Sequence, residues 1–293
     1  MTSHYHIHEV SEYINWIYFF HAWGFQPRYA SIADIHGCDA CRAMWLARFP
    51  ENERAKAAEA MQLFKEAQRM LSELDGKYQT HSVFRLMEAN SEGNDIWIEG
   101  TRLPLLRQQN ARQGEPYLCL SDFIRPSSSG ITDKIGLFAT SVDKEMETLY
   151  PDDGYKHMLR QTLADRLAEA TAEKLHESIR KETWGFAPDE ILSMRQLHNE
   201  EYQGIRPAVG YPSLPDQSIN FILDDLLDMK QIGIALTENG MMQPHASVSG
   251  LIFAHPASRY FSVGKIDGTQ LEDYARRRNL AIETMKKYLS ANL

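Results

Sequence analysis

Basic residues are in short supply in this sequence. Its 293 residues include 31 Lys and Arg against 40 Asp and Glu, a formal net charge of −9, and this excess of acid argues against the phosphate-tracking surface that nucleic-acid binding uses. Cysteine is scarcer still, with three in the whole chain. An odd number at irregular spacing excludes a disulfide framework and points to a reducing compartment. No apolar run reaches the roughly 18 residues of a membrane-spanning helix, and the opening Met1-Thr2-Ser3-His4-Tyr5-His6 lacks the charged and apolar regions of a signal peptide. A cytoplasmic protein with no membrane or nucleic-acid partner is therefore expected. The patterns G-x-x-x-x-G-K-S/T, G-x-G-x-x-G and G-x-S-x-G are absent, which removes the usual support for nucleotide hydrolysis and acyl transfer. No repeat, low-complexity block or Gly/Ser linker divides the chain, so one domain over 1–293 is expected.

What is present suits a sizeable core, since 43% of the residues are hydrophobic and 24% charged. Ala57, Ala60, Phe64, Ala67, Leu71 and Leu74 recur at helical spacing with Gly76 as the stop, so 51–75 reads as an amphipathic helix. Leu159, Leu163, Leu167, Thr171, Leu175 and Ile179 form a stripe at spacing four, which marks a long helix over 153–182. Alternating segments 83–88 and 95–99 flank a run of turn formers and predict a hairpin, with further strands at 116–120 and 133–142. Segments 246–254 and 260–266 flank His255-Pro256-Ala257-Ser258-Arg259 and predict a second hairpin, with Tyr260 at the mouth of its loop. Thr269-Gln270-Leu271-Glu272 has capping-box spacing and should open a terminal helical pair. Hairpins plus long helices without regular βαβ alternation predict an α+β fold on a largely antiparallel sheet.

Three histidine and cysteine groups invite a metal or redox reading. Cys38 and Cys41 have C-x-x-C spacing, half of a zinc site or a redox pair, but no second such pair exists and Cys119 is the only other thiol. A surface pair at a helix start is the alternative. Asp34-Ile35-His36-Gly37-Cys38-Asp39 resembles the D-x-H-x-x-G signature of cobalamin domains, yet Asp39 stands where the last glycine belongs and no Rossmann-like strand precedes it. Cobalamin ligation by His36 is rejected. His4, His6 and His8 alternate as if along one strand face, and near a terminus they read more readily as solvent-exposed residues than as ligands.

The most informative stretch is Gly204-Ile205-Arg206-Pro207-Ala208-Val209-Gly210-Tyr211-Pro212-Ser213-Leu214-Pro215. Its prolines fix φ and Gly210 permits close approach of backbone to a ligand, giving a stiff loop that presents one guanidinium, one phenol and several backbone groups. Arg206 can grip a carboxylate bidentately or sit in a structural ion pair.

Arg206-Pro207-Ala208-Val209-Gly210-Tyr211-Pro212 resembles the R-P-A-x-G-Y-P signature of the activation (reactivation) domain of cobalamin-dependent methionine synthase. The resemblance extends through Trp184 to Pro188, Tyr202 to Ile205, Ala246 to Gly250, His255-Pro256 with Tyr260-Phe261, and Glu272 to Arg277. It is strongest over 155–282 and looser toward the N-terminus, with a core at 51–293, an N-terminal helical region at 1–50 and an apparent insertion around 38–53.

The resemblance implies a C-shaped single α+β domain with a twisted antiparallel sheet flanked by long helices. It implies S-adenosylmethionine binding and docking over the cobalamin of a partner, where reduction by flavodoxin or a similar reductase is coupled to methyl transfer. Such a domain supplies the methyl-donor site and no general base or nucleophile. Homocysteine, folate and cobalamin modules are absent from this sequence, so the expected role is reactivation in trans of a separate synthase. Carried over residue by residue, the family's ligand contacts fall on Asp122, Glu169, Arg206, Ala208, Gly210, Tyr211 and Tyr260. Arg206 would hold the ligand's carboxylate, and Tyr211 and Tyr260 would offer ring faces. Periodicity alone places Glu169 beside Asp165 and Glu173 on a solvated acidic face. One departure is Gln243, standing where an aromatic is expected before Ala246. The competing functions are a non-catalytic interaction subunit of a corrinoid protein and a zinc or redox regulator using Cys38 and Cys41.

Overall fold

The computed structural model describes residues 1–35, 37–111 and 113–293. His36 lies outside the described residues. The chain opens with β1 (Thr2–His6), α1 (Ile7–Ser11), α2 (Trp16–Ala22), α3 (Asp39–Ala47) and α4 (Glu51–Leu74). Strands β2 (Gln79–Glu92), β3 (Asp95–Ile98), β4 (Thr101–Pro104) and β5 (Asp133–Val142) follow, then α5 (Gly154–Ser178), α6 (Met194–His198) and α7 (Ile219–Leu227). The short strands β6 (Ala235–Leu236) and β7 (Met242–Gln243), strand β8 (Ser247–Ile252) and helices α8 (Gly268–Arg278) and α9 (Ile282–Tyr288) complete it. Gln243 thus belongs to a two-stranded ribbon, where it faces Ala235.

The main sheet is antiparallel in every pairing and runs β4-β3-β2-β5-β8, with β1 alongside the first half of β2. It curls into a half-barrel. Strand β5 is buried on both faces because each face meets a separate core. Phe138 and Val142 join the cluster under α5 and α4, while Ile135, Leu137 and Ala139 join the one under α7. The leucine stripe of α5 turns toward the sheet, with Leu159, Leu163, Leu167 and Leu175 all essentially inaccessible. Removing such a side chain costs about 2–5 kcal/mol.

The helices at 51–75 and 153–182 form as expected, the second ending in one π-turn over Ile179–Thr183. The hairpin of β2 and β3 and the strand at 133–142 form too. Three expectations require correction. Segment 116–120 makes a single bridge, Cys119 with Arg107, because Asp122 accepts from the Cys119 N–H at 2.8 Å and turns the chain into a 3-10 helix at Leu120–Phe123. Segment 260–266 does not pair with β8, because the free edge of β8 is already taken. Ile205 and Phe253 exchange both backbone hydrogen bonds at 3.0 Å, the Leu251 N–H donates to the Pro207 carbonyl at 3.0 Å, and the Val209 N–H donates to the Ser249 carbonyl at 2.9 Å. The cap of α8 is Asp267, which accepts from the Gln270 N–H at 2.8 Å, two residues before Thr269.

Candidate ligand cavity

The pairing that displaces 260–266 also builds the site. Gly204 takes φ +86°, and a Cβ there would lie 2.3 Å from the Phe253 carbonyl oxygen, so only glycine lets the loop reach the edge of β8. Fastened there, the loop carries Arg206 and Ala208 over the sheet, and segment 260–263 lies against it through a Val263 N–H bond of 2.9 Å to the Pro212 carbonyl.

A cavity of about 750 Å³ opens between this loop, α5 and the N-terminal helices, within the range of small-molecule sites. Thr162, Asp165, Glu169 and Glu173 line one wall at intervals of three and four, the face of α5 opposite its leucines. Tyr13 and Tyr18 approach from the N-terminal region, and Arg206, Ala208, Tyr211, Tyr202 and Tyr260 line the other side. The acidic face that periodicity assigns to solvent is thus covered by the first 22 residues.

Arg206 anchors the cavity's polar network. Its side chain is 10% exposed, and Nη2 donates to Glu173 Oε2 at 3.1 Å. Its backbone N–H donates to the Tyr260 phenol oxygen at 2.9 Å, which lies 3.3 Å from the Tyr202 hydroxyl. The guanidinium stacks over Phe138 at 5.6 Å. Burial, the largest single effect, favours its neutral form, but the Glu173 carboxylate together with Tyr260, Tyr202 and Glu169 outweighs that and holds it protonated above the ordinary arginine value. The Tyr211 hydroxyl donates to Glu169 at 2.5 Å, and burial first, then that carboxylate, push the phenol up. Burial likewise raises Asp165. The cavity combines a fixed cation, a fringe of acids and several phenol rings, a lining suited to a ligand with both charges and a flat ring system.

Five residues carried over from the resemblance, Glu169, Arg206, Ala208, Tyr211 and Tyr260, meet in this lining. The other two stand outside it. Asp122 forms a two-pronged pair with Arg107, both contacts at 2.7 Å. Gly210, at φ +88°, is exposed and turns the loop by donating its N–H to the Leu214 carbonyl at 2.8 Å. Glu173, Tyr13 and Tyr202 were not singled out from sequence, although Asp165, Glu169 and Glu173 at spacing four mark a common face.

Cys38 caps α3, accepting from the Cys41 N–H at 3.2 Å, and the two sulfurs lie 2.7 Å apart. The Cys41 hydrogen bond lowers the Cys38 thiol. A tetrahedral zinc takes four ligands and this pair offers two, with Cys119 buried elsewhere. His4 instead contacts His81 at 2.7 Å, and His8 pairs with Asp75 at 3.0 Å. No group of three or more potential ligands suited to a metal occurs among the described residues, and none of their helices is long and apolar enough to cross a membrane.

A curled antiparallel sheet with a polar, phenol-lined cavity beside its longest helix defines a small-molecule-binding domain. Residues 6–279 match the family described as "Vitamin B12 dependent methionine synthase, activation domain", and the chain belongs to that family. It is similar to a solved structure described as the MetH reactivation domain bound to AdoHcy, at 37% sequence identity and a TM-score of 0.87, over 100% of this chain and 90% of the other.

Proposed function

We propose that the cavity binds S-adenosylmethionine and that the domain presents it, in trans, to the inactive cobalamin of a methionine synthase. The observation that carries the ligand assignment is the buried, protonated Arg206, whose Nε lacks a partner among the described residues. Such a donor is costly to leave unmet and suits a ligand carboxylate. The AdoHcy in the related solved structure is the demethylated form of the same molecule. The cavity's size and mixed polarity fit a sulfonium nucleoside.

When bound, S-adenosylmethionine supplies an activated methyl group, and the partner's cobalt, reduced by a flavodoxin-like protein, supplies the nucleophile. This chain's residues have positioning to perform. Arg206 holds the amino-acid tail, Tyr260 fixes the Arg206 backbone, and the Ala208 backbone and the Tyr211 ring meet the nucleoside. Glu169, hydrogen-bonded to Tyr211, sets an anionic rim beside the sulfonium. No proton transfer is required of the protein, in keeping with phenols held above their ordinary range by burial.

Calorimetry with S-adenosylhomocysteine tests the binding. The in-trans role is tested by adding the purified chain to a synthase lacking its own activation domain, with cob(II)alamin bound and a reductase present. Methylcobalamin should form, followed by its absorption spectrum, only when both this chain and S-adenosylmethionine are supplied. Formation without this chain would refute the role.

A further inference from the structure

Arg206 is not the only group in the cavity with an unmet hydrogen bond. Glu173 lines it, its side chain is 11% exposed, and one carboxylate oxygen, Oε2, receives Arg206 Nη2 at 3.1 Å. The other oxygen, Oε1, is buried and, like Arg206 Nε, has no partner among the described residues. A buried pair thus retains one spare acceptor on the anion and one spare donor on the cation. Leaving both empty is unfavourable, and each orphan is satisfied by a group of opposite character. A free α-amino acid end carries both, an ammonium and a carboxylate two bonds apart.

We propose that Arg206 and Glu173 form one clamp for a zwitterion, with Arg206 holding the ligand's carboxylate and Glu173 Oε1 accepting from its ammonium. This rests on the S-adenosylmethionine reading and assigns a residue that the family resemblance did not supply. Glu173 suits the ammonium better than its neighbours. Glu169, one turn earlier on α5, already accepts from the Tyr211 hydroxyl at 2.5 Å and is more exposed. Glu200 is exposed, and Asp165 lies two turns of α5 from Glu173. Glu173 also has a second effect: by fixing Nη2 it sets the plane of the guanidinium, and Arg206 cannot turn away without leaving a buried carboxylate uncompensated.

Three probes separate the clamp from general packing. S-adenosylhomocysteine has both charged groups, its deaminated analogue 4-(5′-deoxyadenosin-5′-ylthio)butanoate keeps only the carboxylate, and 5′-methylthioadenosine has neither. By calorimetry the wild-type chain should prefer S-adenosylhomocysteine to the deaminated analogue by about tenfold or more, the scale of one charged hydrogen bond. Glu173→Gln should bind those two alike while holding 5′-methylthioadenosine as tightly as wild type. Should that variant not fold, Glu173→Asp keeps the charge but withdraws it by one methylene, and the same equal binding is expected. If the wild type binds none of the probes, the S-adenosylmethionine reading fails and the clamp with it. If the wild type binds S-adenosylhomocysteine and the folded variant keeps the preference over the deaminated analogue, the clamp alone is overturned. Equal weakening toward all three probes also overturns it, because Glu173 is then a brace for the fold.

Discussion

Gly250 on β8 and Pro207 on the loop stand so close that a methyl group at position 250 would lie 2.3 Å from the Pro207 carbonyl oxygen and 2.9 Å from the Ala208 Cα. That proximity holds the Arg206 loop on the sheet, so the cavity depends on a missing side chain. Gly250→Ala should force the two backbones apart and strain the bonds from Leu251 to Pro207 and from Val209 to Ser249. A stability loss of about 1–3 kcal/mol is expected from overpacking, with ligand affinity falling alongside. Urea unfolding and calorimetry check both. Wild-type values in the two measurements would show that the close approach does not matter.

Removing the guanidinium should act on binding more than on the fold. Arg206→Ala is expected to weaken S-adenosylhomocysteine by about 1.5–3 kcal/mol, the scale of a hydrogen bond to a charged group. Arg206→Lys should recover only part of this, since an ammonium cannot reproduce the planar fork. Unchanged affinity in Arg206→Ala would remove the carboxylate role.

His176 gives the domain a pH dependence of definite sign. Its ring is wholly buried, stacked edge-on against Tyr202 at 4.8 Å, and neither ring nitrogen has a partner among the described residues. Burial, and then the charges of Arg180 and Arg206, hold it well below the ordinary histidine value. The unfolded chain takes up a proton as pH falls through about 6.5, and the folded chain does not. Stability is therefore full above that pH and lost below it, by about 1.4 kcal/mol per pH unit for this one group. His176→Phe, which keeps the edge-on ring, should flatten the curve between pH 7.5 and 5.5 in urea unfolding. An equally steep curve in the variant would assign the effect elsewhere. Asp165, raised by burial, acts in the opposite direction, its stabilisation being lost as pH rises.

Protein purified without a tag should carry no stoichiometric zinc, because Cys38 and Cys41 supply two of the four ligands a tetrahedral zinc takes and no third joins them among the described residues. Neither cysteine lines the cavity, so a Cys38→Ser, Cys41→Ser double variant should bind S-adenosylhomocysteine like wild type. Elemental analysis showing one zinc per chain would contradict the first expectation, and altered affinity the second.

The parts legible in sequence were those where local periodicity and burial agree. The leucine stripe of α5 names a buried face, the alternating segments 83–88 and 95–99 name a hairpin, and each element forms where expected. Segment 260–266 alternates as those segments do, yet no strand forms there, since the edge it needed is occupied by residues 205–209. That competition lies between stretches some fifty residues apart, beyond the reach of any local pattern. The cavity divides along the same line. The motif marks Arg206 and Ala208, whereas Glu173 lies on a face that periodicity assigns to solvent and that the N-terminal segment covers. Asp122, chosen by resemblance, is held by Arg107, a partner that its own surroundings in sequence did not suggest.

The two sides of the ligand space differ in what anchors them. Glu169 and Glu173 sit a single turn apart on a helix whose reverse side is locked into the main core through Leu163 and Leu167. The opposing tyrosines come from a short N-terminal helical segment and a chain stretch without regular structure. Adaptation to an incoming molecule is thus one-sided. In amide exchange, ligand should slow residues 13–22 and 255–263, while the middle of α5 exchanges at the same rate whether or not anything is bound.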